Sequence, residues 1–527
     1  MNLFKRLFLM FFLSVFLLLS FGCSSEKEET EDPGENSDQQ IQQDVLKSNR
    51  QTDESIRSDI RDGSYTAQKP LLVKNPYDIS PLTAIIGFQT DEEASITLTI
   101  EGDRKEDTLQ YEFETGKEHI LPVIGLYPDR ENKVTLTLAY DNGESKTFEH
   151  TIETEPLPDF LADMVQDVQV NDVRTEGLTL VSGGFTRNPF AFDSSGVIRW
   201  FLKVETDAHG YFPADNGRFF LVGGYNMIET ESRDYATDLF DLDYLGRFHK
   251  KYQIEGGIHH EVVEKEPGGN LFVHGSSLDG HVEDIVLEID RDSGERLRVF
   301  DLTEHFDDTR YTDAYDWAHM NSISYNREEN TMLLSARNVS SVIKIDWETE
   351  EILWILSDPK VWEDTPYADL VLEPIGEPLW HYEQHAAFEI HEDIDQNPKT
   401  LDLMLFDNRV IRNELMDLSI EKQEDQSSVV QYAINEEDFT VEEKKRFSNS
   451  MAFITSNFEI YPALDLLMTN HGSLRKSTDD PIDSMWGEIY EVDYSSKEIL
   501  NTYALKHGFY RAHKIYPDAK ASAAPMK

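Results

Sequence analysis

Alternation of hydrophobic and polar residues with a period of two dominates the chain after residue 69, and this period predicts β-strands. Between 69 and 156, Ile96, Leu98 and Ile100 alternate with threonines. Asn142 and Gly143 then mark a hairpin turn, because both residues accept a positive φ. Short strands at this spacing predict a small N-terminal β-sandwich over 69–156, which contains no cluster of catalytic residue types.

One pattern recurs six times between residues 157 and 527. An apolar strand is followed by a strand that ends in Asp or an equivalent residue, a turn and a third strand. Repetition of such a unit indicates a β-propeller, and six copies predict six blades. We therefore predict an all-β protein whose functional domain is a six-bladed β-propeller, and we expect the apolar strand of each blade to line a central channel. These strands begin at Leu178, Phe219, Leu271, Met332, Leu403 and Leu466.

The N-terminus has the features of an export signal. Lys5 and Arg6 precede an apolar run that ends at Phe21, and this run is shorter than the roughly 20 residues that a membrane-spanning helix needs. Because Cys23 follows the run closely, residues 1–23 resemble a lipoprotein-type signal peptide with Cys23 as the lipidation site. A plain anchor helix with an incidental cysteine is the alternative.

Residues 24–68 contain much Glu, Ser, Gln and Asp and few large apolar residues. This composition predicts a flexible acidic tether between the anchor and the folded part. We therefore expect a protein of the cell envelope that faces outside the cytoplasmic membrane and touches the membrane only through its N-terminal lipid.

The whole chain is strongly acidic. Its 527 residues include 48 Lys and Arg against 101 Asp and Glu, which gives a net charge of −53. Such a surface repels phosphate backbones, so nucleic acid is not an expected partner. The single cysteine allows neither an intrachain disulfide nor a cysteine metal site.

Histidine is the residue type that indicates chemistry here. Several of the 16 histidines stand before apolar, strand-like runs in different repeats. Because equivalent positions in the blades point at one axis, such histidines converge in space although they are distant in sequence. Each of them alone can equally be structural and bond the backbone of a neighbouring blade. The candidates are His259, His260, His319, His385 and His513.

Arg337 adds a cation to this set, at the end of the strand after the one that His319 begins. Three histidines and an arginine can bind a divalent metal, or they can hold an oxyanion while one imidazole acts as the nucleophile. The guanidinium fork suits sulfate or phosphate oxygens and repels a metal. We expect no carboxylate ligand beside these histidines, no metal, and a local cationic patch inside a deep channel.

Two sequence blocks resemble the bacterial arylsulfotransferases that work without 3'-phosphoadenylyl sulfate. Residues 316–322 read Asp-Trp-Ala-His-Met-Asn-Ser, and residues 335–338 read Ser-Ala-Arg-Asn. The blocks His-His-Glu at 259–261 and Gln-His-Ala at 384–386 match the same family in the right order. The resemblance covers about residues 70–515, and the family also has a small β-domain ahead of a six-bladed propeller.

This resemblance implies that a sulfuryl group passes from a phenolic sulfate ester to an acceptor phenol through a sulfohistidine, with ping-pong kinetics and without a cofactor. It makes His385 the nucleophile, with His260, His319 and Arg337 as the catalytic residues that hold the sulfuryl oxygens. One of the histidines then protonates the leaving phenolate. The substrate-binding residues expected beside them are Asn321, His259 and His513.

Several alternatives stay open at this point. Either His259 or His260 can be the site residue, because a doubled histidine leaves the register undecided. The expected partners are an aryl sulfate donor and a phenolic acceptor, and the sequence leaves a homo-oligomer open. In place of a transferase, the domain can be a non-catalytic surface propeller that binds ligands or envelope partners, or a metal-dependent lyase or hydrolase.

Overall fold

The computed structural model describes residues 33–526 except 185, 207, 224–235, 278–280, 307–315, 410–425 and 476–483, and it gives only the backbone of 33–44. The predicted signal peptide and its Cys23 lie outside the described residues. No helix in the described part is long and apolar enough to cross a membrane. Contacts separate Met1–Gln43 from one compact unit, Asp44–Lys527, and every side chain discussed below belongs to the latter.

A helix replaces most of the predicted tether. The prediction of a flexible segment over 24–68 is wrong for residues 33–62, which form α1 (Pro33–Asp62). Ile56 and Ile60 stand one turn apart on one face of α1, and both are buried in the main hydrophobic core. Asp53 of the same helix accepts a hydrogen bond from Arg247 at 2.7 Å. The buried face is so narrow that the polar composition hides it.

Five strands form a sheet after this helix. The longest strand pairs with three of the others, and its Ile96, Leu98 and Ile100 are buried as their alternation predicts. The strands are β1 (Leu71–Lys74), β2 (Thr83–Ile100), β3 (Leu109–Ile124), β4 (Glu131–Tyr140) and β5 (Ser145–Glu153), with a 3₁₀ helix at Lys105–Asp107. The strand order is β1-β2-β4-β5, with β3 also paired to β2.

Six further sheets, of four or five strands each, follow along the described chain. Sheet 1 contains β7 (Leu178–Gly183), β8 (Thr186–Phe192), β9 (Ile198–Phe201) and, from the far end of the chain, β31 (Arg511–Ile515). Sheet 2 contains β10 (Tyr211–Pro213), β11 (Phe219–Val222), β12 (Asp238–Leu242) and β13 (Phe248–Gln253). Sheet 3 contains β14 (His259–Glu264), β15 (Leu271–Gly275), β16 (Ile285–Ile289) and β17 (Arg296–Asp301).

Sheets 4 to 6 continue the same order. Sheet 4 contains β18 (Met320–Asn326), β19 (Thr331–Ala336), β20 (Ser341–Asp346) and β21 (Ile352–Leu356). Sheet 5 contains β22 (Glu373–Pro374), β23 (His385–Ile390), β24 (Leu401–Asp407), β25 (Ser428–Asn435) and β26 (Thr440–Ser448). Sheet 6 contains β27 (Asn457–Tyr461), β28 (Leu466–Leu474), β29 (Trp486–Asp493), β30 (Ile499–Leu505) and β6 (Val165–Val170). The remaining helices are α2 (Ala519–Ala523) and 3₁₀ turns at Leu302–Glu304, Pro359–Val361, Ala368–Leu370 and Pro462–Leu464.

The two ends of this region tie the first and last sheets to distant parts of the chain. β31, near the C-terminus, pairs with β7, and β6, near the start, pairs with β30. One edge strand of each sheet contacts its counterpart in the next sheet, from β10 through β14, β18, β23 and β27 to β31. We call these six edge strands the inner strands. The rings of Tyr211 on β10 and His513 on β31 lie 6.0 Å apart and link the two ends of this series. The inner strands therefore form a closed circuit of contacts.

The prediction that the apolar strands come first in their units is wrong. Each of them lies next to an inner strand, as β15 lies next to β14, β19 next to β18 and β7 next to β31. The inner strands contain buried His, Asn and Ser, so they lack the hydrophobic alternation that would reveal them. These polar strands, and not the apolar ones, form the inner circuit.

Candidate functional site

Three inner strands begin with an irregularity next to a histidine. The pairing of β14 with β15, of β18 with β19 and of β23 with β24 shifts register within the first few residues. The backbone φ is +50° at His260, +52° at His319 and +50° at Ala386, beside His385. Residues other than glycine seldom adopt this conformation, and such strain concentrates at functional sites.

His260 faces the other candidates, and His259 lies behind it. The ring centroid of His260 is 4.0 Å from that of His209 and 4.8 Å from that of His319. Nε2 of His259 lies 2.7 Å from the carbonyl oxygen of Gly275 instead. Of the doubled pair, His260 is therefore the residue that joins the central cluster.

The hydrogen bond between these neighbours fixes the proton on His260. Nε2 of His259 donates to a carbonyl, so Nδ1 of neutral His259 has a lone pair. The two Nδ1 atoms are 2.9 Å apart, so the proton between them belongs to His260. Burial and the neighbouring His209 hold the pKa of His260 well below its ordinary value. His260 is thus neutral, with an unprotonated Nε2.

His319 has the opposite electrostatic environment. Its Nδ1 lies 2.5 Å from Oε2 of Glu283 and 2.8 Å from Oδ2 of Asp316. Burial lowers the pKa of His319, but the charge of Glu283 and the hydrogen bonds to both carboxylates outweigh burial and raise the pKa above its ordinary value. His319 is therefore the histidine of the cluster best suited to donate a proton.

Arg337 lies directly after β19 and reaches the same cluster. Its backbone N–H donates to the carbonyl oxygen of His319 at 3.2 Å. Its Nη2 donates to Oε2 of Glu383 at 2.8 Å, and both side chains are almost fully buried. Glu383 precedes His385 by two residues and has a φ of +48°. This ion pair connects the end of sheet 4 with the start of sheet 5.

Hydrogen bonds fix the tautomer of His385. Asn408 donates from Nδ2 to the carbonyl oxygens of Ala452 and Thr455, which orients its amide and leaves Oδ1 as an acceptor. His385 Nδ1 lies 2.8 Å from this oxygen and must carry the proton. The backbone N–H of Thr455 points at Nε2 of His385 at 3.3 Å, so that atom has the lone pair.

The charge state of His385 agrees with this tautomer. Its pKa is well below the ordinary value because of burial, with the positive charges of Arg337 and His319 acting in the same direction. A neutral imidazole with an unprotonated Nε2 is the nucleophilic form.

Asn321 connects three inner strands. Its Nδ2 donates to the backbone carbonyl oxygen of Gln384 at 2.8 Å, and its own backbone carbonyl oxygen accepts from Arg511 at 3.0 Å. Arg511 also donates to Glu261 at 2.6 Å. Asn321 thus helps to position the segment that contains His385.

His513 does not join the cluster in the same way. Its Nδ1 lies 2.9 Å from Oε1 of Glu459, and its ring faces Tyr211. Among the described residues, no ring contact or hydrogen bond links His513 to His260, His319 or His385. The sequence-based role in substrate binding therefore has no support from this geometry.

A carboxylate does lie beside the histidines, contrary to the expectation from sequence. His260, Glu283 and His319 offer three ligand-type atoms within 4.8 Å of one another. Two nitrogens of this set are already engaged within the protein, because Nδ1 of His319 donates to Asp316 and Nδ1 of His260 donates to His259. The Arg337 charge acts on the same histidine and disfavours a further cation.

The expected cationic patch is also wrong in its simple form. Arg337 is paired with Glu383 and Arg511 with Glu261, so neither charge stands alone. Sequence reasoning missed these partners because they come from other strands. It also missed the central His209 and the acceptor Asn408. The signal that could have found the two glutamates is their position, since Glu261 lies inside the block 259–261 and Glu383 directly precedes the block 384–386.

Comparison with known proteins shows the family of the chain. The family model described as Arylsulfotransferase (ASST) matches residues 164–516, and the model described as Arylsulfotransferase Ig-like domain matches residues 71–155. The first of these covers more than half of the chain, and the chain belongs to the arylsulfotransferase family.

Two curated relatives share this family. The chain is 24% identical to the arylsulfate sulfotransferase AssT of Escherichia coli O6:H1 (strain CFT073), over 81% of this chain and 88% of the relative. It is 23% identical to the arylsulfate sulfotransferase AssT of Lelliottia amnigena over the same shares. Among solved structures, a DUF4784 family protein from Bacteroides caccae has a TM-score of 0.29 at 10% identity, with 80% of this chain and 91% of that chain covered. A likeness at this level carries no weight for fold or function.

Proposed function

We propose that the protein transfers a sulfuryl group from an aryl sulfate to a phenol through a sulfohistidine on His385, without 3'-phosphoadenylyl sulfate. Family membership supports an aryl sulfate sulfotransferase. The observation that carries the finer proposal is the fixed tautomer of His385. Its Nδ1–H is held by Asn408, so its unprotonated Nε2 is the atom that attacks, and it gives up its contact with the Thr455 N–H to do so.

In the first half-reaction, Nε2 of His385 forms a bond to sulfur while the bond from sulfur to the phenolic oxygen breaks. His319 donates a proton to the departing phenolate oxygen. The ring of His385 becomes positively charged, and the hydrogen bond from its Nδ1–H to Asn408 stabilises that charge. Arg337 lies next to His319 and is the group that we assign to the sulfuryl oxygens, because the one N–H of neutral His260 is donated to His259.

In the second half-reaction, an acceptor phenol replaces the first one. His319, now neutral, takes the phenolic proton as the phenol oxygen attacks sulfur. The N–S bond breaks, and its electron pair returns to Nε2 of His385. Each half-reaction leaves the enzyme ready for the other, which is the basis of ping-pong kinetics.

We also propose that the six successive sheets are the blades of a β-propeller with the cluster on its axis. The closed circuit of inner strands and the pairing of β31 with β7 support this arrangement. It accounts for the convergence of histidines that are up to 176 residues apart in sequence, from His209 to His385.

Release of p-nitrophenol from p-nitrophenyl sulfate, with and without added phenol, tests the proposed transfer. We expect turnover to depend on the phenol and the sulfated acceptor to form in equal amount. Release that is independent of the acceptor, with free sulfate as product, would indicate a hydrolase. No release at all would favour the non-catalytic alternative.

The anchor at Cys23 is a separate proposal, which rests on the sequence alone. Metabolic labelling with a fatty-acid analogue should modify the wild-type protein and leave Cys23→Ser unmodified. Equal labelling of both proteins, or of neither, would contradict lipidation at Cys23.

A further inference from the structure

Every cation of the central cluster is hydrogen-bonded to a carboxylate. This holds for both arginines and for the histidine whose pKa is raised. The distances lie between 2.5 and 2.8 Å, and the partners are largely buried, with Asp316 the most exposed. The pairs are Arg337 with Glu383, Arg511 with Glu261, and His319 with both Glu283 and Asp316.

The other titratable groups of the cluster do not add positive charge. Burial lowers the pKa values of His259, His260, His274 and His385 far enough to keep them neutral. Burial also raises the pKa of Tyr510, which therefore stays protonated. His209 is the remaining histidine that faces the cluster.

Three cations therefore stand against four carboxylates, so these charged pairs leave no net positive charge. Their N–H groups are still directional donors, but they act by hydrogen bonding rather than by excess charge. A ligand with one negative charge meets donors in a nearly balanced field. A second negative charge on the same ligand is repelled by the one carboxylate charge in excess.

We propose that this pairing makes the site selective for a monoanionic ester group and rejects the dianion of a phosphate monoester, with Glu383 as a specificity determinant. The inference rests on the proposed sulfuryl transfer at the same site. An aryl sulfate has a single negative charge. A phosphate monoester has a second pKa of about 6 and therefore a net charge of about −1.5 to −2 at pH 7. Both groups offer three terminal oxygens, so charge is the property that separates them.

Titration of the ligand, and not of the protein, gives the sharpest test. Isothermal calorimetry should compare phenyl phosphate with phenylmethanesulfonate, which is a monoanion throughout, at about pH 5 and about pH 8, on either side of the phosphate pKa of ~6. The quantity to compare is the dissociation constant of phenyl phosphate divided by that of phenylmethanesulfonate. This ratio cancels any titration of the protein that affects both ligands equally. Like charge at such range changes affinities by about 10-fold to 10³-fold, so we expect the ratio to rise by at least about 10-fold at the higher pH.

An unchanged ratio would overturn the inference while leaving sulfuryl transfer intact. Failure of the sulfonate to bind at either pH, together with no turnover of p-nitrophenyl sulfate, would instead count against the proposed function and against the inference with it.

The variant Glu383→Gln tests the assigned residue. Its amide oxygen can still accept from Arg337, but one carboxylate charge is removed. We expect the ratio at about pH 8 to fall by about 10-fold toward its low-pH value. Glu377→Gln, which removes an exposed carboxylate, controls for net charge and should leave the ratio unchanged. A ratio that does not respond to Glu383→Gln, or that falls equally in the control, would overturn the role of Glu383.

Discussion

Replacement of Glu283 by glutamine tests whether His319 is the proton donor. The wild-type carboxylate lies 2.5 Å from Nδ1 of His319 and is one of the groups that raise its pKa. Glutamine has the same shape but no charge, and the hydrogen bond between Nδ1 of His319 and Asp316 remains. We therefore expect the fold to persist and the pKa of His319 to fall.

The magnitude follows from the two carboxylates around this ring. An adjacent opposite charge shifts a pKa by about 1–3 units. Because Asp316 remains at 2.8 Å, the loss of Glu283 alone should cost about 1–1.5 units, which is about 1.4–2 kcal/mol. The imidazolium form is lost as pH rises through the pKa, so the alkaline limb of activity should move to lower pH by this amount.

The assay is the pH profile of kcat/KM for p-nitrophenyl sulfate, which reports the essential acid of the free enzyme. Below the shifted limb, Glu283→Gln should approach the wild-type rate, because His319 is protonated there in both proteins. Asp316→Asn should shift the limb in the same direction, and the exposed control Glu377→Gln should not shift it. A uniform loss at every pH, or an alkaline limb that does not move, would refute the assignment of His319 as the acid.

Three further outcomes follow from the site. Arg337→Lys should lower kcat by about 10²–10³-fold, because a single ammonium cannot replace the fork that contacts Glu383 and the sulfuryl oxygens, and a wild-type kcat would contradict that role. Varying donor and acceptor together should give parallel double-reciprocal lines, whereas intersecting lines would indicate direct transfer in a ternary complex. Activity should survive EDTA, since Nδ1 of His260 is engaged with His259 and Nδ1 of His319 with Asp316; a loss that one added metal restores would favour the metal-dependent alternative.

The strands and their repetition could be predicted from sequence because they leave a local hydrophobic pattern. The buried faces of β2 and β4 show it directly in their alternation. The inner strands escaped this method, since residues such as His259 and Asn321 are polar and yet fully buried. The helix α1 escaped it for a related reason, because only a few positions such as Ile56 and Ile60 are apolar.

The site was predictable only in part, and the reason is distance along the chain. His319 and Arg337 flank two paired strands of one sheet and fall in two neighbouring sequence blocks, so their association has a local signal. Glu283 comes from a different sheet than His319, and Asn408 stands 23 residues after His385. Nothing in a single sequence states which strands will be neighbours. The pairing of Glu283 with His319 could therefore not be predicted from the sequence.

The most direct test of covalent transfer is mass spectrometry of the protein after mixing with p-nitrophenyl sulfate in the absence of an acceptor. An alkaline quench is needed, because an N–S bond is labile in acid. We expect a gain of one SO₃ group on the peptide that contains His385, its disappearance when phenol is added, and no gain in a folded His385→Asn variant. An adduct on His260 or His319, or no adduct in a protein that still turns over, would contradict His385 as the nucleophile.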